Sequence, residues 1–335
     1  MHDYKFLLNN TKDITDNVVK LSYSESLDDF ASSFNFEYVS DEFEGLGITS
    51  SVNNKTVLNQ LKILKNNKPV YVGYITDEEH TTDKNKFNYY GFDVGFYLNK
   101  NEVIKQFRNR NIGDAIRELC KEYQINIETM PKFNQRVSKF YKDVIFSDVV
   151  KELLQFERDK GGRDDFYVDC KGGAFTIREY EYNENLGAVI ANNIALDSFQ
   201  TINNVHIKQS MQELKNRVIY TDNDKKSAYK VMRQDRNSIS TYGLLTDIER
   251  VDTKKENNLE ALAIKKLDEL NKIAKTISLS MLGDERAKKG IVIPLNISEY
   301  GLNGTYLITN ITHNITSHDE AIDISVKKYE IETTH

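Results

Sequence analysis

Apolar and polar positions alternate over most of the first hundred residues. The runs are Val19, Leu21 and Tyr23; Phe34, Phe36 and Tyr38; Val70, Val72 and Tyr74; and Tyr90, Phe92, Val94, Phe96 and Leu98. A spacing of two, rich in β-branched and aromatic side chains, marks strands that lay one face on a core. It predicts a β-barrel or sandwich domain over residues 1–99. The polar run DEEHTTDKNK (77–86) should form a solvent-facing hairpin or loop between two of its strands.

The period lengthens after residue 100. Ile112, Ala115, Ile116, Leu119 and Cys120 fall at helical spacing behind Asn111, a good N-cap residue type. A second helix opens at Ser147, carries Val149, Val150, Leu153 and Leu154, and stops before Gly161 and Gly162. With short strands at 124–130, 166–170 and 174–180, this predicts an α+β module over residues 100–200. Strand spacing then returns at Val205 and Ile207 and at Val218, Ile219 and Tyr220. One long helix interrupts it, with Leu259, Leu262, Ala263, Leu267, Leu270 and Ile273 opposite Glu260, Lys265, Asp268 and Lys272. Further strands follow at Ile291 to Ile297, Leu307 to Ile311 and Ile322 to Val326, giving a second β domain over residues 201–335. No repeat with a period of roughly 20 to 50 residues stands out, which sets aside solenoids and propellers. The expected class is α+β, mainly β: two β domains flanking an α+β module.

Composition sharpens this reading. A chain of 335 residues suits two or three domains, and 39% hydrophobic with 10% aromatic residues, all Tyr or Phe, is enough for real cores. No apolar run approaches the roughly 18 residues that span a bilayer, and the start MHDYKFLLNNTKD lacks the layout of a signal peptide. A soluble protein made in the cytoplasm, without membrane insertion, is expected. Two cysteines, Cys120 and Cys170, exclude a disulfide framework and a four-cysteine zinc site. The net charge of −6 argues against a duplex-binding surface and against sequence-specific nucleic acid as a partner.

Candidate chemistry is sparse. A nucleophile would have to be Cys120 or Cys170 beside His80, His206, His313 or His318, yet Cys120 lies on an apolar helical stripe and Cys170 precedes the turn Gly172-Gly173. His313, His318 and Asp319 form a cluster that resembles metal ligands. Five residues apart in a strand, however, the two rings face opposite sides. Acid pairs of the kind used in glycoside cleavage occur at Asp164-Asp165, Glu42 with Glu44, and Glu179 with Glu181, all in turns or on exposed strand faces. Gly161-Gly162-Arg163 and Gly172-Gly173 are too short for phosphate loops. KFNQRVSKFYKD (132–143) has the basic and aromatic make-up of a single-strand-binding stripe, but the negative net charge supplies no supporting field and favours a solvated strand face. No catalytic, cofactor-binding or metal-binding residue is assigned, and no cofactor is expected.

The order of several segments does carry information. GFDVGFYLNKNE (91–102), IGDAIRELCKEYQI (112–125), FSDVVKELLQFERDKGG (146–162), STYGLL (240–245), LGDERAKKG and GLNGTYLITNITH (301–313) follow one another as they do in a known family. The chain resembles the XkdQ/YqbQ-type tail proteins of defective prophages, relatives of the central baseplate hub of contractile tails. The resemblance implies a structural, non-enzymatic homotrimer in which two tube-type β-barrel domains per subunit build a ring. That ring would join the tail tube proteins to the central spike protein, with other baseplate (wedge) proteins around it, in a phage or a tail-like bacteriocin. Such a protein is in the bacterial cytoplasm during assembly and in the tail baseplate afterwards. The alternatives are a tail-associated peptidoglycan hydrolase acting through Asp164, Asp165 and the His313 cluster, and a carbohydrate-binding module.

Overall fold

The computed structural model describes residues 4–40, 44–52, 55–80, 85–161, 165–195, 204–222, 230–251, 258–316 and 319–329. They fall into two compact units, one of residues 1–205 with 278–335 and one of residues 206–277.

The larger unit is built on a long, mostly antiparallel sheet. Strand Val18–Ser26 pairs on one side with Ser33–Val39, and the sheet continues through Lys86–Phe92, Lys68–His80, Gln60–Lys65 and Tyr4–Leu8. On its other side Val18–Ser26 pairs with Leu302–Thr316, which also carries Ile291–Ile297 and Glu320–Lys328. The protein is mainly β, as the alternation predicts. The order is open: among the described residues no sheet closes on itself into a barrel. Strands from the two ends of the chain share one ladder, with Tyr23 opposite His313.

Alternation finds strands at Val18–Ser26, Ser33–Val39, Lys68–His80 and Lys86–Phe92, misses Tyr4–Leu8 and Gln60–Lys65, and gives the buried face of two wrongly. In Lys68–His80 the core face is Tyr71, Gly73 and Ile75 rather than Val70, Val72 and Tyr74. In Lys86–Phe92 it is Phe87, Tyr89 and Gly91, while Tyr90 stands exposed. The cause is glycine counted as polar. A Cβ at Gly91 would lie 2.1 Å from the Tyr74 carbonyl oxygen and 2.4 Å from the Phe34 ring, so the glycine makes room for a core aromatic. Val19, expected inside, sits in a bulge between Val18 and Lys20 and points to solvent.

The strand expected to run through Phe96 and Leu98 ends at Phe92. A short helix, Gly95–Lys100, begins there because the Asp93 carboxylate accepts the Gly95 N–H at 2.8 Å. The 77–86 segment is strand at both ends, paired from Asp77 with Tyr90 to His80 with Phe87; residues 81–84 lie outside the described residues.

In the module, helix Ile112–Glu122 is capped by Asn111, whose side chain accepts from Gly113 and Asp114, and the second helix is Phe146–Gly161. The strand expected at 124–130 is irregular chain with a single bridge from Ile127 to Phe175. Phe166–Asp169 and Thr176–Glu179 form a hairpin, and helix Glu184–Ala195 follows in a segment given no element by its periodicity.

The module also holds a repeat that the sequence reading missed. Strand Glu102–Asn111 with its helix, and strand Arg136–Ile145 with its helix, superpose at a spacing of 34: Val103 and Val137, Lys105 and Lys139, Phe107 and Tyr141, Asp114 and Asp148, Glu118 and Glu152, Leu119 and Leu153. The strands pair with each other in a register that maps onto itself under this shift. Gln106 opposite Phe140 marks the axis, and Lys105 with Tyr141 is mirrored by Phe107 with Lys139. Bulges recur at equivalent places, with Asn109 and Asp143 both at positive φ. Lys105 bonds Glu118, and Lys139 bonds Glu152 in the same way. Two copies make one closed β-α-β-α body around a shared core, so solenoids remain set aside.

The smaller unit centres on Arg217–Asp222, antiparallel to Lys230–Gln234 and parallel to Thr246–Val251. Helix Leu259–Leu270 lays Leu259 and Ala263 on Val218 and Tyr220, as its stripe predicts, but it ends before Ile273, which is exposed.

Candidate functional site

Within the larger unit, three strands each carry one polar residue where alternation calls for an apolar one. Lys65 continues the inward row of Leu61 and Ile63, His313 lies between Ile311 and Ile315, and Glu320 precedes Ile322 and Ile324. They converge. The Lys65 ammonium donates to Glu320 at 2.6 Å, and His313 Nδ1 lies 2.8 Å from the other Glu320 oxygen. The Tyr23 ring stacks on the imidazole at 4.2 Å. His313 Nε2 has no hydrogen-bond partner among the described residues. Burial alone would raise the Glu320 pKa, but the bonds from His313, Lys65 and Tyr4 outweigh it and bring it down to about 2. The carboxylate is therefore ionised, and Nδ1 carries the imidazole proton that faces it.

A second network lies alongside. The Lys171 ammonium donates to buried Glu25 at 2.8 Å, Arg178 to Asp169 at 2.8 Å, and buried Lys289 to the Ser26 carbonyl at 3.1 Å. Cavities of about 320 and 520 Å³ adjoin these groups and share Lys171 and Lys288. The lysines and carboxylates neutralise one another, so the arrangement holds strands and module hairpin together. Losing either member of such a pair leaves a buried charge uncompensated.

The residues singled out from sequence do not assemble into a catalytic group. Cys120 and Cys170 are buried free thiols; burial pushes Cys120 up to about 12 and Cys170 well above its ordinary value, so neither supplies a thiolate at neutral pH. His80 stacks on Phe87, and His206 lies in strand Asn204–Ser210. His313 turns inward to Glu320, whereas Asp319 is exposed and its carbonyl accepts from Thr316; His318 lies outside the described residues. Asp164, Glu42, Gly162 and Arg163 are also outside them, and Gly161 ends its helix. Glu44, Glu179 and Glu181 are exposed, Asp165 is partly buried, and Gly172 and Gly173 form the turn after Cys170. Among the described residues no three His, Cys, Asp or Glu side chains converge as metal ligands, and no helix is long and apolar enough to cross a membrane. The 132–143 stripe becomes one strand of the ribbon, with Val137 and Tyr141 inward, Phe140 outward and Lys139 bonded to Glu152.

One further group stands apart. Asp93 is fully buried, one of its oxygens has no partner among the described residues, and burial lifts its pKa to about 7 despite the Gly95 N–H bond and the positive charge of Lys289.

The fold is matched by tail proteins. The 43 kDa tail protein of prophage MuSo2 from Shewanella oneidensis superposes with a TM-score of 0.69 at 12% identity, over 98% of both chains. The E. coli c3393 protein, described as a component of the type VI secretion system with structural similarity to the T4 tail proteins gp27 and gp5, gives 0.51 at 9% identity, over 97% of this chain and 77% of its own. In sequence the chain is 21% identical over 253 residues to the phage-like element PBSX protein XkdQ of Bacillus subtilis, covering 74% of this chain and 75% of that protein. These likenesses define a phage tail and baseplate type of protein. Residues 21–327 match the YqbQ-like family, and the chain belongs to it.

Proposed function

We propose that this protein is the structural hub of a contractile tail or tail-like particle, a homotrimeric ring that joins the tail tube to the central spike. The observation that carries the reading is the likeness to tail proteins along almost the whole length. In this reading residues 1–99 and 201–335 supply two tube-type β domains per subunit, with the 100–200 module outside them. Three subunits with two such domains each match a six-fold tube, and ring closure covers strand edges that would otherwise invite aggregation. The neighbours are the tube, the spike and the surrounding baseplate proteins. The role needs no catalysis.

Mass measurement in solution, alone and with tube and spike proteins, tests this reading. A trimer, or a chain that trimerises when they are added, is expected. A chain that stays monomeric and is missing from purified particles would overturn it.

A further inference from the structure

The repeat in the module provides an internal standard for its surface. Where the core demands a residue the two copies agree, so a departure from symmetry on the exposed face needs another cause. Ile104 and Phe140, 62% and 56% exposed, are diagonal neighbours on the outer face of the ribbon. Their counterparts at the 34-residue spacing are Ser138 and Gln106. At both positions one copy of the repeat is apolar and the other polar, on a face exposed to solvent.

Charge marks the same ribbon. Its two strands hold Lys105, Arg108, Arg110, Arg136, Lys139 and Lys142 against Glu102 and Asp143. Lys105 and Arg110 pair with Glu118 and Lys139 with Glu152 inside the module, and Arg136 donates to the Asn109 carbonyl. Arg108 and Lys142, beside the apolar pair, have no carboxylate partner among the described residues. The rest of the chain is correspondingly acidic. One of its acidic features is a strand end: Asp77, Glu78, Glu79 and His80 are exposed where the strand runs on past the core, with Glu78 accepting from Tyr89 and Glu79 from Tyr90.

We propose that the Ile104 and Phe140 half of the ribbon docks the acidic hairpin arm at Asp77 to His80 of a second copy of this chain. The contact rests on the trimeric reading above and names its surfaces. It is head to tail, the type that closes a ring of copies. The apolar pair supplies buried area, while Arg108 and Lys142 steer and orient the acidic arm.

The test copies residues that one repeat already tolerates. Ile104→Ser with Phe140→Gln makes the ribbon symmetric without touching its core, and sedimentation of this variant and wild type across a concentration series reads the assembly. The variant should melt within a few degrees of wild type and trimerise at least tenfold more weakly. Arg108→Glu with Lys142→Glu should do the same at low salt, and adding Asp77→Lys with Glu79→Lys should restore assembly; these exposed changes give a second route if the first variant folds poorly. Unchanged trimerisation in both variants would overturn this contact and leave the hub reading standing. A wild type that is monomeric throughout would overturn the contact, and the hub reading would then be decided separately by its presence in particles.

Discussion

At the scale of single residues, Glu320 carries the largest predicted effect. It is the shared acceptor for Lys65 and His313, and Glu320→Gln leaves a buried ammonium without its counter-charge. Denaturant unfolding at pH 7 should show a loss of about 3 kcal/mol or more. The pH dependence has a definite sign. The Glu320 pKa is depressed from 4.5 to about 2 on folding, so its stabilisation is in full force above pH 4.5 and disappears as pH falls towards 2. The variant should lack that portion of the acid transition.

Asp93 acts in the opposite direction. Its pKa is raised from 3.8 to about 7, so stability is lost as pH rises through that window. Asp93→Asn keeps the acceptor for Gly95 and should flatten the dependence between pH 4 and 7, with a gain on the order of 1 to 2 kcal/mol at pH 8. A variant less stable than wild type at pH 8 would contradict the account of Asp93. Lys65 and Glu320 were missed in the sequence, although each is a polar residue in an apolar row, and His313 was read only as part of a cluster with His318 and Asp319. What could not be read was that three separate strands bring Lys65, His313 and Glu320 to one point.

At the scale of elements, local chemistry was the reliable guide. Asn111 was read as a cap and is one, so Asn111→Ala should cost about 1 kcal/mol in thermal or chemical unfolding without changing the oligomeric state. Errors arose where tertiary contacts set the outcome. Gly73 and Gly91 occupy core positions because Phe34 fills the space over them, and alternation counted from side chains assigned the opposite face. The parallel pairing of Arg217–Asp222 with Thr246–Val251 is equally non-local.

The duplicated β-α unit escaped notice because its two copies agree in residue type more than in identity. Its clearest marks, the paired bulges and the matched Lys105–Glu118 and Lys139–Glu152 contacts, need coordinates to see. If the copies are equivalent in energy as in form, Asn109→Gly and Asp143→Gly should shift stability by similar amounts. Each relieves a positive φ at the same point of its repeat. Shifts of opposite sign would count against that equivalence.

At the scale of the whole molecule, the segment order in the sequence was sufficient to indicate the tail-protein family to which the chain belongs. The mainly β class was legible too. The joining of strands from the two ends of the chain in one open sheet was not, since the pairing of Val18–Ser26 with Leu302–Thr316 spans nearly the entire chain. The buried charge networks tie separate strands together through lysine and carboxylate groups that neutralise one another. The most direct test of this account is cryo-electron microscopy of the parent particle at a resolution that traces the chain. Three copies forming a ring between the last tube layer and the spike are predicted. The chain repeated along the tube, or absent from the tube end, would contradict it.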